Sequence, residues 1–88
     1  MNWKSELAFF ITPKSGPMRP MMTLLDANCG ILDNVPARDR TQAHWVRAKR
    51  AILRAAELGI DRDVRAATDA LMNALVAEGW MIRRREGA

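Results

Sequence analysis

One cysteine, one histidine and two serines in 88 residues leave little material for metal or nucleophile chemistry. Cys29 alone cannot form an internal disulfide, and with His44 it falls short of the four thiolate or imidazole ligands of a structural zinc site. The expectation is therefore no metal and no cofactor. Ser5 and Ser15 lack the G-x-S-x-G setting of a nucleophile elbow. The five glycines are isolated, so no glycine-rich loop is present to cradle phosphate. The longest apolar run, Leu7 to Ile11, is too short for a membrane span or a secretory core segment. With so little cysteine, the expected compartment is reducing and cytoplasmic.

The residues that are plentiful describe one small folded domain over 1–88. Hydrophobic residues make up 49% and charged residues 27%, a globular balance. A domain of this size buries only a little over ~60% of its unfolded surface, so self-association would be a natural way to bury more. The formal charge of +4 is unevenly spread. Residues 1–40 carry five bases and four acids, 41–60 carry four and one, and 61–88 carry five and five. The excess thus lies on the segment after residue 40, with a local cluster at Arg83, Arg84 and Arg85.

The stretch Thr41 to Ile82 organises the chain. Trp45, Ala48, Ile52, Ala55 and Ala56 recur at the three- and four-residue intervals of a helical stripe, widened by Val46 and Leu53. Arg47, Arg50 and Arg54 fall on the opposite face. Thr41 is the expected N-cap, and Gly59 the residue that ends the helix at positive φ. A second helix is expected after Asp61 as its cap, with Asp63 in the favourable field of its first turn. Val64, Ala67, Leu71 and Leu75 form its stripe, and Gly79 stops it. A connection this short makes the two helices packed neighbours.

Upstream, Leu7 to Thr12 is aromatic and β-branched and is followed by the turn-forming PKSGP. Met18 to Thr23 would return antiparallel, with Pro20 marking an edge or an interruption. Thr23 to Asp26 reads as a capping box that opens a short helix carrying Leu24, Ala27, Ile31 and Val35 and ending at Pro36. Trp80-Met81-Ile82 alternates as a terminal strand does, with Trp80 and Ile82 inward and able to pair with the hairpin. The expected fold is α+β in the order ββαααβ: an N-terminal hairpin, three helices and a short C-terminal strand, with the helices on one face of a small antiparallel sheet. Residues 1–6 and 84–88 are expected as flexible ends.

No group of these residues specifies a reaction, and the expectation is a non-enzymatic protein. His44 reads as a surface or boundary histidine, Cys29 as a small buried hydrophobe, and Asp61 and Asp63 as capping residues. Trp45 and Trp80 belong to core stripes, whereas Trp3 is unassigned.

The run from Asp26 to Ile82 resembles the small bacterial proteins grouped as domain of unknown function 982. The resemblance is carried by DANCGILDNVP, AHWVRAKRAILRAAELG and VRAATDALMNALVAEGWMI. Val35 stands where that family usually has tryptophan, and Thr68 where it favours phenylalanine. The resemblance implies the ββαααβ order and no known activity. The stretch AAELGIDRDVRAATDALMNALVAEGWMIRR also looks like the turn, recognition helix and first wing strand of a winged helix-turn-helix domain. That likeness implies base reading by Arg62, Arg65, Asp69 and Asn73, with Arg83 to Arg85 on phosphates. Arg65 stands where that pattern has an apolar residue.

Two functions follow as expectations. The first is a module that binds another protein or itself, with a homodimer as one form. The second is nucleic-acid binding, with Arg47, Arg50, Arg54, Arg83, Arg84 and Arg85 contacting phosphates.

Overall fold

The computed structural model describes residues 1–82. Its order is β1 (Glu6–Ile11), β2 (Met21–Thr23), α1 (Leu24–Asn34), a single 3-10 turn (Asp39–Thr41), α2 (Ala43–Leu58) and α3 (Asp61–Ala77). The described residues are thus α+β, with a two-stranded antiparallel sheet and three α-helices.

The hairpin is irregular. Glu6 pairs with Thr23 and Ile11 with Met21, so a long stretch of β1 faces a short stretch of β2. A ladder with extra residues on one side must bulge. Leu7 and Ile11 reach the core, while Phe9 and Phe10 remain exposed. Pro20 stands just before β2 and shortens it, as an amide without a donor does.

Helix α1 opens on a complete capping box. Thr23 Oγ1 accepts from Asp26 N at 3.1 Å, and Asp26 Oδ2 accepts from Thr23 N at 3.1 Å and from Met22 N at 3.0 Å. Leu24, Ala27 and Ile31 turn inward, joined by Val35 at the C-cap.

Helices α2 and α3 form the core of the fold. Trp45, Ala48, Ile52, Ala55 and Ala56 of α2 and Val64, Ala67, Leu71, Ala74 and Leu75 of α3 are buried as their spacing requires. Side-chain contacts join the start of α2 to the end of α3 (His44 to Glu78) and the end of α2 to the start of α3 (Arg54 to Asp63), so the pair is antiparallel. Gly59 takes φ +66 in the turn between them.

Several expectations need correction. The N-cap of α2 is Gln42, not Thr41, whose hydroxyl donates to Arg38 O at 2.7 Å within the 3-10 turn. That of α3 is Ile60, which leaves Asp61 as the first helical residue. Leu53 does not widen the core stripe: at 45% exposure it faces outward.

The expected C-terminal strand is absent among the described residues: Trp80 to Ile82 are irregular, and Ile82 is 77% exposed. The reason lies in what covers the neighbouring backbone. Ala8 N donates to Thr68 Oγ1 of α3 at 3.0 Å, so this amide of β1 is taken by a helix. Trp80 O accepts from Lys14 N and Ser15 N, at 2.8 and 3.2 Å, which ties it to the loop after β1 instead of to a strand.

The amino-terminal residues, expected as a flexible end, are hydrogen-bonded to the helices. Asn2 N and Asn2 Nδ2 both donate to Ala56 O, at 2.7 and 3.0 Å, and Trp3 O accepts from Leu25 N at 2.9 Å. This clamp sets Trp3 between the start of α1 and the body of α2. Residues 84–88 lie outside the described residues.

Candidate interaction surface

Helix α2 turns its apolar stripe inward, and its opposite face carries Arg47, Arg50 and Arg54, all exposed. They do not form one uniform patch. Arg50 and Arg54 line a hollow of about 490 Å³ with Leu53, Glu57 and Leu58. Arg50 and Leu53 also line a second hollow of about 310 Å³, whose other walls are Trp3, Asn28 and Lys49. Arg50 and Leu53 form the wall the two share; the first hollow lies along α2 alone, and the second is a trough bounded by Trp3, by α1 through Asn28 and by α2. Leu53 and Leu58, at 45% and 50% exposure, and half-buried Trp3 are the apolar residues of the two hollows; Lys49, Arg50 and Arg54 are their cations.

Arg47 faces elsewhere, into a groove between α2 and α3 that includes Asp69 and Asn73. Acids are interleaved with the bases. Arg54 Nε lies 3.4 Å from Oδ1 of the buried Asp63, and Glu57 stands on the rim beside it. Arg83, Arg84 and Arg85 lie outside the described residues.

The residues of the helix-turn-helix likeness have contacts within the chain. Arg65 Nε is 3.4 Å from Asp69 Oδ1, and its guanidinium stands 5.8 Å from the ring centre of Phe9.

His44 has a partner that nothing in the sequence indicated. Its Nε2 lies 2.9 Å from Glu78 Oε2, and Trp45 Nε1 donates to the same oxygen at 2.8 Å. The hydrogen bond with His44 is the main cause holding the Glu78 carboxyl below its ordinary range; partial burial opposes it, and the Trp45 bond and the imidazole charge assist. The pair sits where α2 begins and α3 ends, and Trp80 packs nearby with its ring centre 6.0 Å from that of Trp45.

Cys29 is exposed, which corrects the expectation of burial. It opens on a separate depression with Arg19, Asp26 and Asp33, away from the His44 groove. Asp26 is engaged there by the capping box. Among the described residues no group of three or more histidine, cysteine, aspartate or glutamate side chains converges as metal ligands, and no helix is long and apolar enough to cross a membrane.

Of these features one was legible in part and one not at all. The arginine face follows from helical periodicity, but Trp3, Asn28 and Leu53 join it through contacts across the fold. Glu78 lies 34 residues from His44, beyond any helical or strand period. The fold and these hollows together define a small α+β domain with a basic, partly apolar outer face on α2. The chain matches no protein-family model, no curated protein and no solved structure.

Proposed function

We propose that this chain is a non-enzymatic interaction module that binds another protein through the trough between α1 and α2, in a reducing, cytoplasmic setting. The observation that carries this reading is the hollow between Trp3, Asn28 of α1 and α2, with the exposed Leu53 on its wall. Protein-binding surfaces place apolar and aromatic anchors inside a polar rim. Leu53 occupies the position of such an anchor, beside Trp3, although the helix had a buried stripe for apolar residues.

Nucleic-acid binding is the second reading, supported by the exposed Arg50 and by the sequence of Arg83 to Arg85. It has less to stand on, because Asp63 engages Arg54 and Glu57 stands among the bases. A phosphate backbone would meet these carboxylates as well as the cations. Self-association through the same trough is disfavoured for a related reason: a two-fold pair would bring like cations face to face.

The test combines two measurements. Immobilised wild-type chain and Leu53→Asp are compared for the proteins each retains from cell extract; the reading requires specific partners that the variant loses, and an identical retained set rejects it. Labelled duplex and single-stranded DNA are then titrated at about 50 and 200 mM salt. Steeply salt-dependent binding, abolished by Arg47→Ala, Arg50→Ala and Arg54→Ala together, would favour the second reading.

A further inference from the structure

We infer that the trough between Trp3, Asn28 and α2 takes the carboxyl terminus of a partner protein whose last side chain is apolar; this rests on the protein-binding reading above and specifies what the trough holds. Three observations lead to it.

The first is where charge stands against apolar surface. Lys49, Arg50 and Leu53 line the trough from α2, and Trp3 and Asn28 supply its other walls. At about 100° per residue, Leu53 falls between the two cations on the helical wheel, about 40° from Lys49 and about 60° from Arg50. Side chains three and four apart on a helix have their Cβ atoms about 5–6 Å from each other. An occupant must therefore carry its negative charge within roughly one side-chain width of its apolar group. A terminal residue does so, because its carboxylate and its side chain leave the same Cα. An acidic residue within a partner's chain would carry the charge on a different residue from the anchor.

The second is that the polar groups of the trough are unengaged. No acidic side chain lines it. Among the described residues neither Lys49 nor Arg50 is in an ion pair, whereas Arg54, outside the trough, is held by Asp63. The half-buried side chain of Asn28 makes no hydrogen bond among the described residues either. The cations can each donate to a carboxylate, and the Asn28 carbonyl can accept from the last peptide N–H of the occupant. A nucleotide would instead set the polar edge of its base against Leu53 and Trp3, with Asn28 alone to receive it.

The third is size. The trough holds about 310 Å³. One turn of helix, about 5.4 Å long and about 10 Å wide, fills about 400 Å³, so the space suits a chain end of one or two residues. The neighbouring hollow shares Arg50 and Leu53 but lies along α2 alone, so among the described residues no second wall continues the trough for a segment running through it. Trp3 is fixed in place before any partner arrives: Asn2 N and Nδ2 donate to Ala56 O, and Trp3 O accepts from Leu25 N. A wall held in this way needs little ordering on binding.

The test uses labelled peptides of about eight residues, uncharged except at the free carboxyl terminus and identical but for a last residue of leucine, isoleucine, phenylalanine or methionine. Binding to the full chain is followed by anisotropy. For the peptide that binds best, amidation of the terminus, serine as the last residue, or Gly-Ser-Gly appended after it should each weaken binding by about tenfold or more. Lys49→Gln with Arg50→Gln should erase the difference between acid and amide, and Leu53→Asp should weaken the acid by about tenfold or more. In nitrogen-edited NMR spectra the Trp3 indole N–H and the Asn28 side-chain amide should shift on binding, and the indoles of Trp45 and Trp80 should not. Circular dichroism checks that the variants fold.

Equal binding of acid and amide, or of the extended peptide, would overturn the chain-end inference while leaving a protein-binding trough intact. No binding of any of the peptides at about 1 mM would overturn it as well, and the extract comparison with Leu53→Asp would then decide the broader reading separately. N-acetyl-leucine binding as tightly as the peptide would overturn the protein partner in favour of a free small acid. Displacement by oligothymidylate at lower concentration than by unlabelled peptide would overturn it in favour of nucleic acid.

Discussion

Glu78 and His44, 34 residues apart, meet at 2.9 Å through Oε2 and Nε2, and this contact joins the end of α3 to the start of α2. The same oxygen accepts from Trp45 Nε1. The indole is therefore buried with its only polar hydrogen satisfied, in a region where Trp80 packs against it.

Acid should weaken this junction. The Glu78 carboxyl is held below its ordinary range when folded, so its ionised form is bound more favourably than in the unfolded chain. That stability is present above the unfolded carboxyl pKa and is lost as pH falls through the folded value. The melting temperature of the wild type should fall across this acid range, and Glu78→Gln should flatten this part of the profile. At neutral pH, Glu78→Ala should cost about 1.5–3 kcal/mol, the range for hydrogen bonds to a charged group. Thermal melts across this pH range and urea denaturation at neutral pH, both followed by tryptophan emission, measure the two effects.

Thr68 should be required for its hydroxyl. It is fully buried, donates to Val64 O at 2.8 Å and accepts from Ala8 N at 3.0 Å. Thr68→Val preserves the shape but leaves the Ala8 amide without its acceptor, and should destabilise by about 1–3 kcal/mol. Thr68→Ser should retain the bond and lose less. Hydrogen exchange at Ala8 should accelerate in the valine variant and not in the serine variant.

Two glycines should respond in opposite directions to alanine. A Cβ on Gly30 would stand 3.5 Å from Met21 Sδ, an ordinary contact, within an α-helix. Gly30→Ala should therefore stabilise by about 0.5–1 kcal/mol. Gly59 has φ +66, and its Cβ would lie 2.6 Å from Asn2 Nδ2. Gly59→Ala should destabilise by about 1–2 kcal/mol and loosen the amino-terminal clamp. Thermal melts of the two variants measure the contrast.

Gly16 should control the seating of Trp80. Its φ is +81, and an added Cβ would stand 2.5 Å from Trp80 Cγ. Gly16→Ala should displace the ring, expose it to water and shift tryptophan emission to the red, at a stability cost of about 1–2 kcal/mol. An unchanged emission maximum would show that the loop and ring do not pack in this way.

The features legible in the sequence were those with a local cause. The Thr23 capping box, the stripes of α1, α2 and α3, and the positive φ of Gly59 each depend on residues within about one or two helical turns. Side-chain chemistry within that range leaves few alternatives. Helix starts shifted by one residue because Thr41 and Asp61 had neighbours, Gln42 and Ile60, whose backbones could serve as caps.

The candidate site was legible only as an arginine face. Leu53 lies at a position compatible with either side of the stripe, and burial depends on which neighbours cover it. α3 covers the Ala48, Ile52 and Ala55 side, while the amino-terminal clamp brings Trp3 to the other. The terminal strand was expected from alternation alone, but a strand also needs an edge with amides available for pairing.

What the sequence by itself determined is therefore the three amphipathic helices, the capping box of α1, the break at Gly59 and the basic outer face of α2, because helical periodicity and capping act over a few residues. Tertiary structure decided the joining of Glu78 to His44, the capture of the Ala8 amide by Thr68, the attachment of Trp80 to the loop at Lys14 and the trough lined by Trp3 and Leu53. Each of these is set by which distant surfaces the packed helices bring within hydrogen-bonding or van der Waals reach, and residue spacing along the chain carries no such distance.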